Sequence, residues 1–403
     1  MCKGRRGPVR DGVMRHRYPL WGLAMIVAVA LALAGCSSWF TGTPPGTRVA
    51  SSSSTDWAAR TVVGYVPYWD QERAFDVARK HLEVFDQISP MWYSLDAKGN
   101  IVLADAKHTH IDPAEVHYLQ NQGIQVIPTI ANLRNGKWTY KPVHKVLHDP
   151  ALRETHIRNI VNLAVRAGYD GIDVDYESLQ SEDREAYSTF MRELGKALDA
   201  KGKLLTTSVH PKQSEPGPYE HNKAQDYRAI GAAADQVRVM TYDYHWSTSE
   251  PGPVAPVDWV EDVISWTVTQ IPKDKVVLGA VLLGYDWVDG GQGETVSYQK
   301  AMSLAREHDA SIARKGPGRS PWFTYTDARG RGHEVWFEDA QSVEAKLGLV
   351  QKYDLGGVFF WRLGGADERV WTLVQPSEVA RSQARHRSVH RTESGPATVV
   401  PAP

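Results

Sequence analysis

Cysteine is scarce in this chain, with two in 403 residues, Cys2 and Cys36. An excess of either charge is also missing: 46 basic side chains face 47 acidic ones, a formal net charge of −1 at pH 7. No global basic field draws nucleic acid to such a surface, so none is expected as a partner. No apolar run reaches the roughly 20 residues that a membrane-spanning helix needs. The GxSxG elbow, the Walker loop and the Rossmann glycine fingerprint are all absent, and no internal repeat is evident. With 42% apolar and 23% charged residues the balance is that of a globular protein, which excludes a disordered or fibrous chain. Aromatic rings are plentiful, with 14 tryptophans and 17 tyrosines. Flat exposed rings make stacking surfaces that sugars and bases both use, and core packing accounts for the remainder.

The N-terminus reads as an export signal. Arg5, Arg6, Arg10, Arg15 and Arg17 precede an apolar run from Leu20 to Ala34, which ends in Leu33-Ala34-Gly35-Cys36. That ending resembles the lipobox of bacterial lipoproteins, which implies acylation of Cys36 after removal of residues 1–35. The expected location is therefore the cell envelope, lipid-anchored, in the outer membrane if the cell is Gram-negative. Six basic residues and one acidic residue lie before Cys36, so the remaining 368 residues carry 40 basic and 46 acidic side chains. They also retain a single thiol, which rules out an internal disulfide and leaves stability to the core. Residues 36–56 are rich in Ser, Thr, Pro and Gly and read as a tether. Residues 376–403 form a polar, basic tail that ends in Pro and Ala, expected to be disordered.

Residues 57–375 alternate short β-rich runs with amphipathic helical stretches. Eight strands are expected: Val62–Trp69, Gln87–Leu95, Gln125–Ala131, Gly171–Glu177, Leu204–His210, Val237–Tyr244, Val276–Gly284 and Gly357–Leu363. Between them, Leu152, Ile157, Ile160 and Ala164 recur at helical spacing, as do Tyr187, Phe190, Met191, Leu194 and Leu198. The predicted fold class is α/β, a (β/α)8 TIM barrel. The interval between the seventh and eighth strands is too long for one helix, and about residues 288–340 are expected to form a small α+β insertion.

Within the fourth strand, Asp170-Gly171-Ile172-Asp173-Val174-Asp175-Tyr176-Glu177 alternates faces. Asp173, Asp175 and Glu177 point one way, into the barrel; Ile172, Val174 and Tyr176 point the other way, under helices. Unpartnered carboxylates inside a barrel cost several kcal/mol each, so stability does not explain them. Crowded carboxylates do suit acid–base chemistry, because mutual repulsion raises the pKa of the group at the end of the file. Glu177 is expected at the C-terminal mouth, where barrel enzymes keep their active sites, as a protonated acid near neutral pH.

These residues are similar to the DxxDxDxE signature of family-18 glycoside hydrolases. Met240-Thr241-Tyr242-Asp243 resembles that family's MxYD, and Trp361 and Tyr65 occupy the places of its eighth- and first-strand aromatics. The resemblance implies substrate-assisted cleavage with retention at N-acetylglucosamine. In that scheme Glu177 is the acid, Asp175 holds the acetamido N–H, Asp173 shares a proton with Asp175, and Tyr242 donates to the acetamido oxygen. Met240 and Asp243 shape the pocket, Trp361 stacks beneath the sugar, and Tyr65 and Trp92 add rings. Pro128-Thr129-Ile130-Ala131-Asn132 departs from the Ser-x-Gly-Gly of many chitinases. That departure and the ending Phe360-Trp361-Arg362-Leu363-Gly364-Gly365 look more like the spore-germination, peptidoglycan-lytic branch. A long aromatic groove is not obvious from the sequence. The alternative is a non-catalytic lectin on the same barrel, although such lectins usually lose the terminal glutamate. No cofactor is expected and the protein is expected to be a monomer. The histidines considered, His108, His110, His210, His221 and His245, show no metal-ligand spacing; His245 is placed near the pocket mouth.

Overall fold

The computed structural model describes residues 57–375. The expected leader, Cys36, tether and tail all lie outside the described residues. Eight parallel strands form the barrel: β1 Thr61–Pro67, β2 Gln87–Met91 resuming as Tyr93–Leu95, β3 Gln125–Val126 with Thr129–Ala131, β4 Gly171–Asp175, β5 Leu204–Val209, β6 Gln236–Val239, β7 Val276–Val281 and β8 Gly357–Trp361. Each pairs with its sequence neighbours and β8 returns to β1. The ring closes in two steps, with Gln87–Ile88 pairing Gln125–Val126 and Tyr93 pairing Ile130. The (β/α)8 barrel expected from the sequence is thus the fold.

Helices form where the apolar spacing placed them. Pro150–Arg166 starts at Asp149, whose carboxylate accepts from the N–H groups of Ala151 and Leu152 at 3.0 and 3.2 Å. It stops before Gly168, which takes a left-handed φ of 70°. Arg184–Asp199 packs Tyr187, Phe190, Met191, Leu194 and Leu198 onto the outer face of the barrel. Ile172, Val174 and Tyr176 lie in the same outer layer. Among the described residues no helix is long and apolar enough to cross a membrane.

The insertion is fuller than the expected helix and strand pair. Leu283–Val288, Gly293–Ser297, Ala313–Lys315, Ser320–Thr326 and Gly332–Trp336 make a five-stranded antiparallel sheet beside the helix Tyr298–Glu307. Its first strand follows β7 after one residue, so the apolar run of β7 and that of the insertion read as continuous in the sequence. Its cluster of Val296, Phe323, Val335 and Phe337 is separate from the barrel core.

Candidate active site

The barrel interior is polar where the acidic file begins. Asp173 on β4 is fully buried between Thr129 of β3 and Thr206 of β5, its register partners. Oδ2 accepts from the hydroxyls of Tyr65 and Thr129, both at 2.9 Å, and Oδ1 accepts from Thr206 at 2.8 Å. The buried guanidinium of Arg238 lies 3.4 Å from Oδ1. Arg238 is held in turn by Gln87 and Ser89 of β2, and it donates to the Tyr65 hydroxyl. The file is therefore not unpartnered, which corrects the expectation at its first member. Arg238 was overlooked although it sits two residues before Met240, on the same face of β6. Three hydroxyls and the Arg238 guanidinium thus converge on Asp173.

Asp175 differs. Its Oδ1 is buried with no hydrogen-bond partner. Burial, followed by the nearby charge of Asp173, pushes its carboxyl up to about 8. Glu177 lies beyond the end of β4 and lines the cleft. Desolvation holds its carboxyl well above the ordinary glutamate value, with Asp175 and Asp243 adding repulsion. The strand alternation thus delivered all three carboxylates to one side, with the outermost, Glu177, in the cleft and its carboxyl raised by burial.

Asn132 fixes the Glu177 backbone from both sides. Its Oδ1 accepts from the Glu177 N–H at 2.8 Å and its Nδ2 donates to the Glu177 carbonyl at 2.7 Å. Asn132 stands in the segment that departs from Ser-x-Gly-Gly, where the sequence reading gave it no role. His210, in line with Thr206 and Ser208 on β5, brings Nε2 to 3.7 Å from Glu177 Oε2. Burial, then the adjacent His221, holds His210 well below the ordinary imidazole range, so it faces the acid as a neutral ring.

Tyr242 and Met240 line the same cleft. Burial raises the Tyr242 phenol well above its ordinary value, with Tyr65 and Asp175 contributing, so it remains a hydrogen-bond donor. Asp243, at a φ of 57°, accepts from Tyr285 of the insertion at 2.9 Å. The insertion also braces the loop after β6, where Trp287 Nε1 donates to the Trp246 carbonyl at 3.3 Å. Trp361 ends β8 half-buried in the cleft, edge-on to Tyr65 at 5.8 Å and to Trp69 at 6.3 Å between centroids.

Two aromatic assignments change. Trp92 does not face the cleft: it is 1% exposed and packs against Phe75 and Tyr169 in the outer layer. β2 breaks at this residue, and Met91 takes the inward position. Tyr65 lies on the cleft floor, but it is 2% exposed and its hydroxyl is committed to Asp173, so it positions a carboxylate more than it offers a face. The open rings come from loops: Trp69, Trp138, Tyr219, Tyr244 and Trp246 are exposed and line the cleft. An aromatic groove is therefore present, in a cleft of about 1730 Å³. That exceeds the roughly 300–1,000 Å³ usual for one small molecule and suits an oligomer.

A barrel with a buried glutamate at the mouth of its fourth strand, beside a second carboxyl and a tyrosine, is the setting in which the comparisons place a sugar hydrolase. The profile described as Glycosyl hydrolases family 18 matches residues 61–366, and the chain belongs to that family as a glycoside hydrolase. It is 36% identical over 260 residues to the cortical fragment-lytic enzyme of Bacillus subtilis (strain 168), a match that covers 63% of this chain and 60% of that enzyme. Among solved structures, the chitinase from Chromobacterium violaceum ATCC 12472 superposes with a TM-score of 0.72 at 30% identity, covering 79% of this chain and 98% of the other. The Bacillus cereus spore cortex-lytic enzyme SleL gives 0.72 at 28% identity, covering 78% and 73%.

Proposed function

We propose that this hydrolase cleaves β-linked, N-acetylglucosamine-containing glycans with retention, through substrate assistance, and that its substrate is cell-wall peptidoglycan. The carrying observation is that Glu177, Tyr242 and a buried Asp175 with an unpartnered Oδ1 line one cleft, where burial raises the pKa values of Glu177 and Tyr242. Glu177 gives its proton to the glycosidic oxygen as the bond to the anomeric carbon breaks. The substrate's acetamido oxygen forms the new bond to that carbon, giving an oxazolinium ion. Asp175 Oδ1 accepts the acetamido N–H and Tyr242 orients the carbonyl, which directs this attack. Water then attacks the same carbon as its bond to the acetamido oxygen breaks and the acetamide re-forms; Glu177 takes the water's proton, configuration is retained, and no second carboxylate nucleophile is needed.

The relatives named for cortex and cortical-fragment lysis support wall glycan over chitin. The Leu33–Cys36 ending supports an envelope lipoprotein that acts close to its membrane. The test is digestion of purified peptidoglycan, chitin oligomers and fully deacetylated chitosan, read by product mass. Muropeptide products released by the wild type, abolished by Glu177→Gln while glycan binding persists, are the expected outcome. Unchanged turnover in Glu177→Gln overturns the acid assignment, and efficient chitosan cleavage overturns substrate assistance. Cleavage of chitin oligomers alone replaces the wall substrate with chitin.

A further inference from the structure

We propose that His144, His148 and Asp183 form a binding site for a divalent transition-metal ion of zinc's class, separate from the carboxylate file. The helix Tyr140–His148 turns Val143, Val146 and Leu147 into the core. Tyr140, His144 and His148, spaced by four, form one row along its flank. That row meets Asp183, the last residue of the turn Ser181–Asp183. His144 Nδ1 lies 2.7 Å and His148 Nε2 3.0 Å from the same oxygen, Asp183 Oδ1. The other oxygen, Oδ2, accepts from the Gln180 N–H at 2.8 Å, which fixes the carboxylate with Oδ1 turned to the imidazoles.

Burial is the second argument. The Asp183 side chain is fully buried, and among the described residues its ion-pair partners are these two histidines. Its neighbour Arg184 is spent on Glu215 and Asp226. A divalent cation would be held by both ring nitrogens and by the one oxygen on which they converge. Tetrahedral zinc bonds of about 2.0–2.1 Å place ligand atoms roughly 3.3 Å apart, a few tenths of an ångström wider than the spacing seen. The rings are partly open to solvent, with side chains 35% and 40% exposed, so they can make that adjustment and admit an ion. Tyr140, which lies 2.8 Å from His144 Nδ1 and donates to Glu182 at 2.9 Å, is placed to hold a water at the fourth position.

The site's position gives it a role. Asp183 follows Glu177 on the same loop, and Thr139, which precedes the histidine helix, hydrogen-bonds the backbone of Asn132 at 2.9 Å. An ion here ties the two segments that carry Glu177 and its Asn132 clamp, so it stiffens the catalytic loop without touching substrate.

The test uses the full-length protein, stripped with chelator and titrated with Zn²⁺ by calorimetry and with Co²⁺ by visible absorption. One equivalent of metal, a rise in Tm, and Co²⁺ bands without thiolate charge transfer are expected; that last feature separates this site from Cys2 and Cys36. His148→Ala, an exposed change that keeps the fold, should weaken binding by about 100-fold, and Tyr140→Phe by about 10-fold. Zn²⁺ binding that is absent, or that survives both His148→Ala and His144→Ala unchanged, overturns the proposal. So does binding that is lost instead in His210→Ala.

Discussion

At the residue scale, two neighbouring carboxyls in the same file have very different partners. Asp173 receives three hydroxyls and a guanidinium, while Asp175, two residues on, receives nothing at Oδ1. An acid whose folded pKa is raised from 3.8 to about 8 binds more protons folded than unfolded over that interval. Folding stability therefore declines as pH rises from about 4 to about 8 on this residue's account. Asp175→Asn removes the ionisation. The variant should be more stable than the wild type at pH 8 and close to it at pH 4, as read by urea unfolding at both. A difference independent of pH would contradict the raised state. Strain of this kind, at a group proposed to act on substrate, trades stability for chemistry.

At the element scale, each inward-facing strand position reads as part of a shared construction. β5 contributes Thr206, Ser208 and His210 in line, β6 contributes Arg238 and Met240, and β3 contributes Thr129 before Asn132. Arg238 is the joint between β2, β6 and the base of β4. Arg238→Met should destabilise the barrel by about 3–5 kcal/mol, because it leaves the buried Asp173 charge without its cation. Denaturant unfolding measures it; a loss below about 1 kcal/mol would mean that the hydroxyls alone satisfy Asp173. The acidic positions of β4 could be read from alternation because a strand has a period of two. Arg238, Asn132 and the His144–His148 pair could not be matched to their carboxylate and backbone partners that way, since those partners come from other strands and loops. The i, i+4 spacing of the two histidines was visible in the sequence; the buried Asp183 opposite them was not.

At the scale of the whole molecule, barrel, insertion and loops divide the work. The barrel fixes the acid and its partners. The insertion reaches back to Asp243 through Tyr285, and the loops carry the open rings Trp69, Trp138 and Trp246. Trp69 was expected at the end of the first strand, but β1 stops at Pro67 and a short turn lifts the ring to the mouth. The proposed lipid anchor acts at this scale as well. Cys36→Ser is expected to move the protein from the membrane to the soluble envelope fraction and to abolish incorporation of labelled palmitate, with peptidoglycan turnover by the purified enzyme unchanged. Membrane retention by the serine variant would count against lipidation.

The sequence by itself determined the barrel and the acidic file that ends in Glu177, because both follow from periodicity along single elements; Tyr242 and Trp361 came from the resemblance to family-18 glycoside hydrolases. Tertiary structure decided which carboxyl is satisfied and which has an unpartnered oxygen, that Trp92 belongs to the core, and that a groove of loop aromatics exists. Those outcomes depend on burial and on partners brought from distant strands and loops, and local spacing carries no record of either.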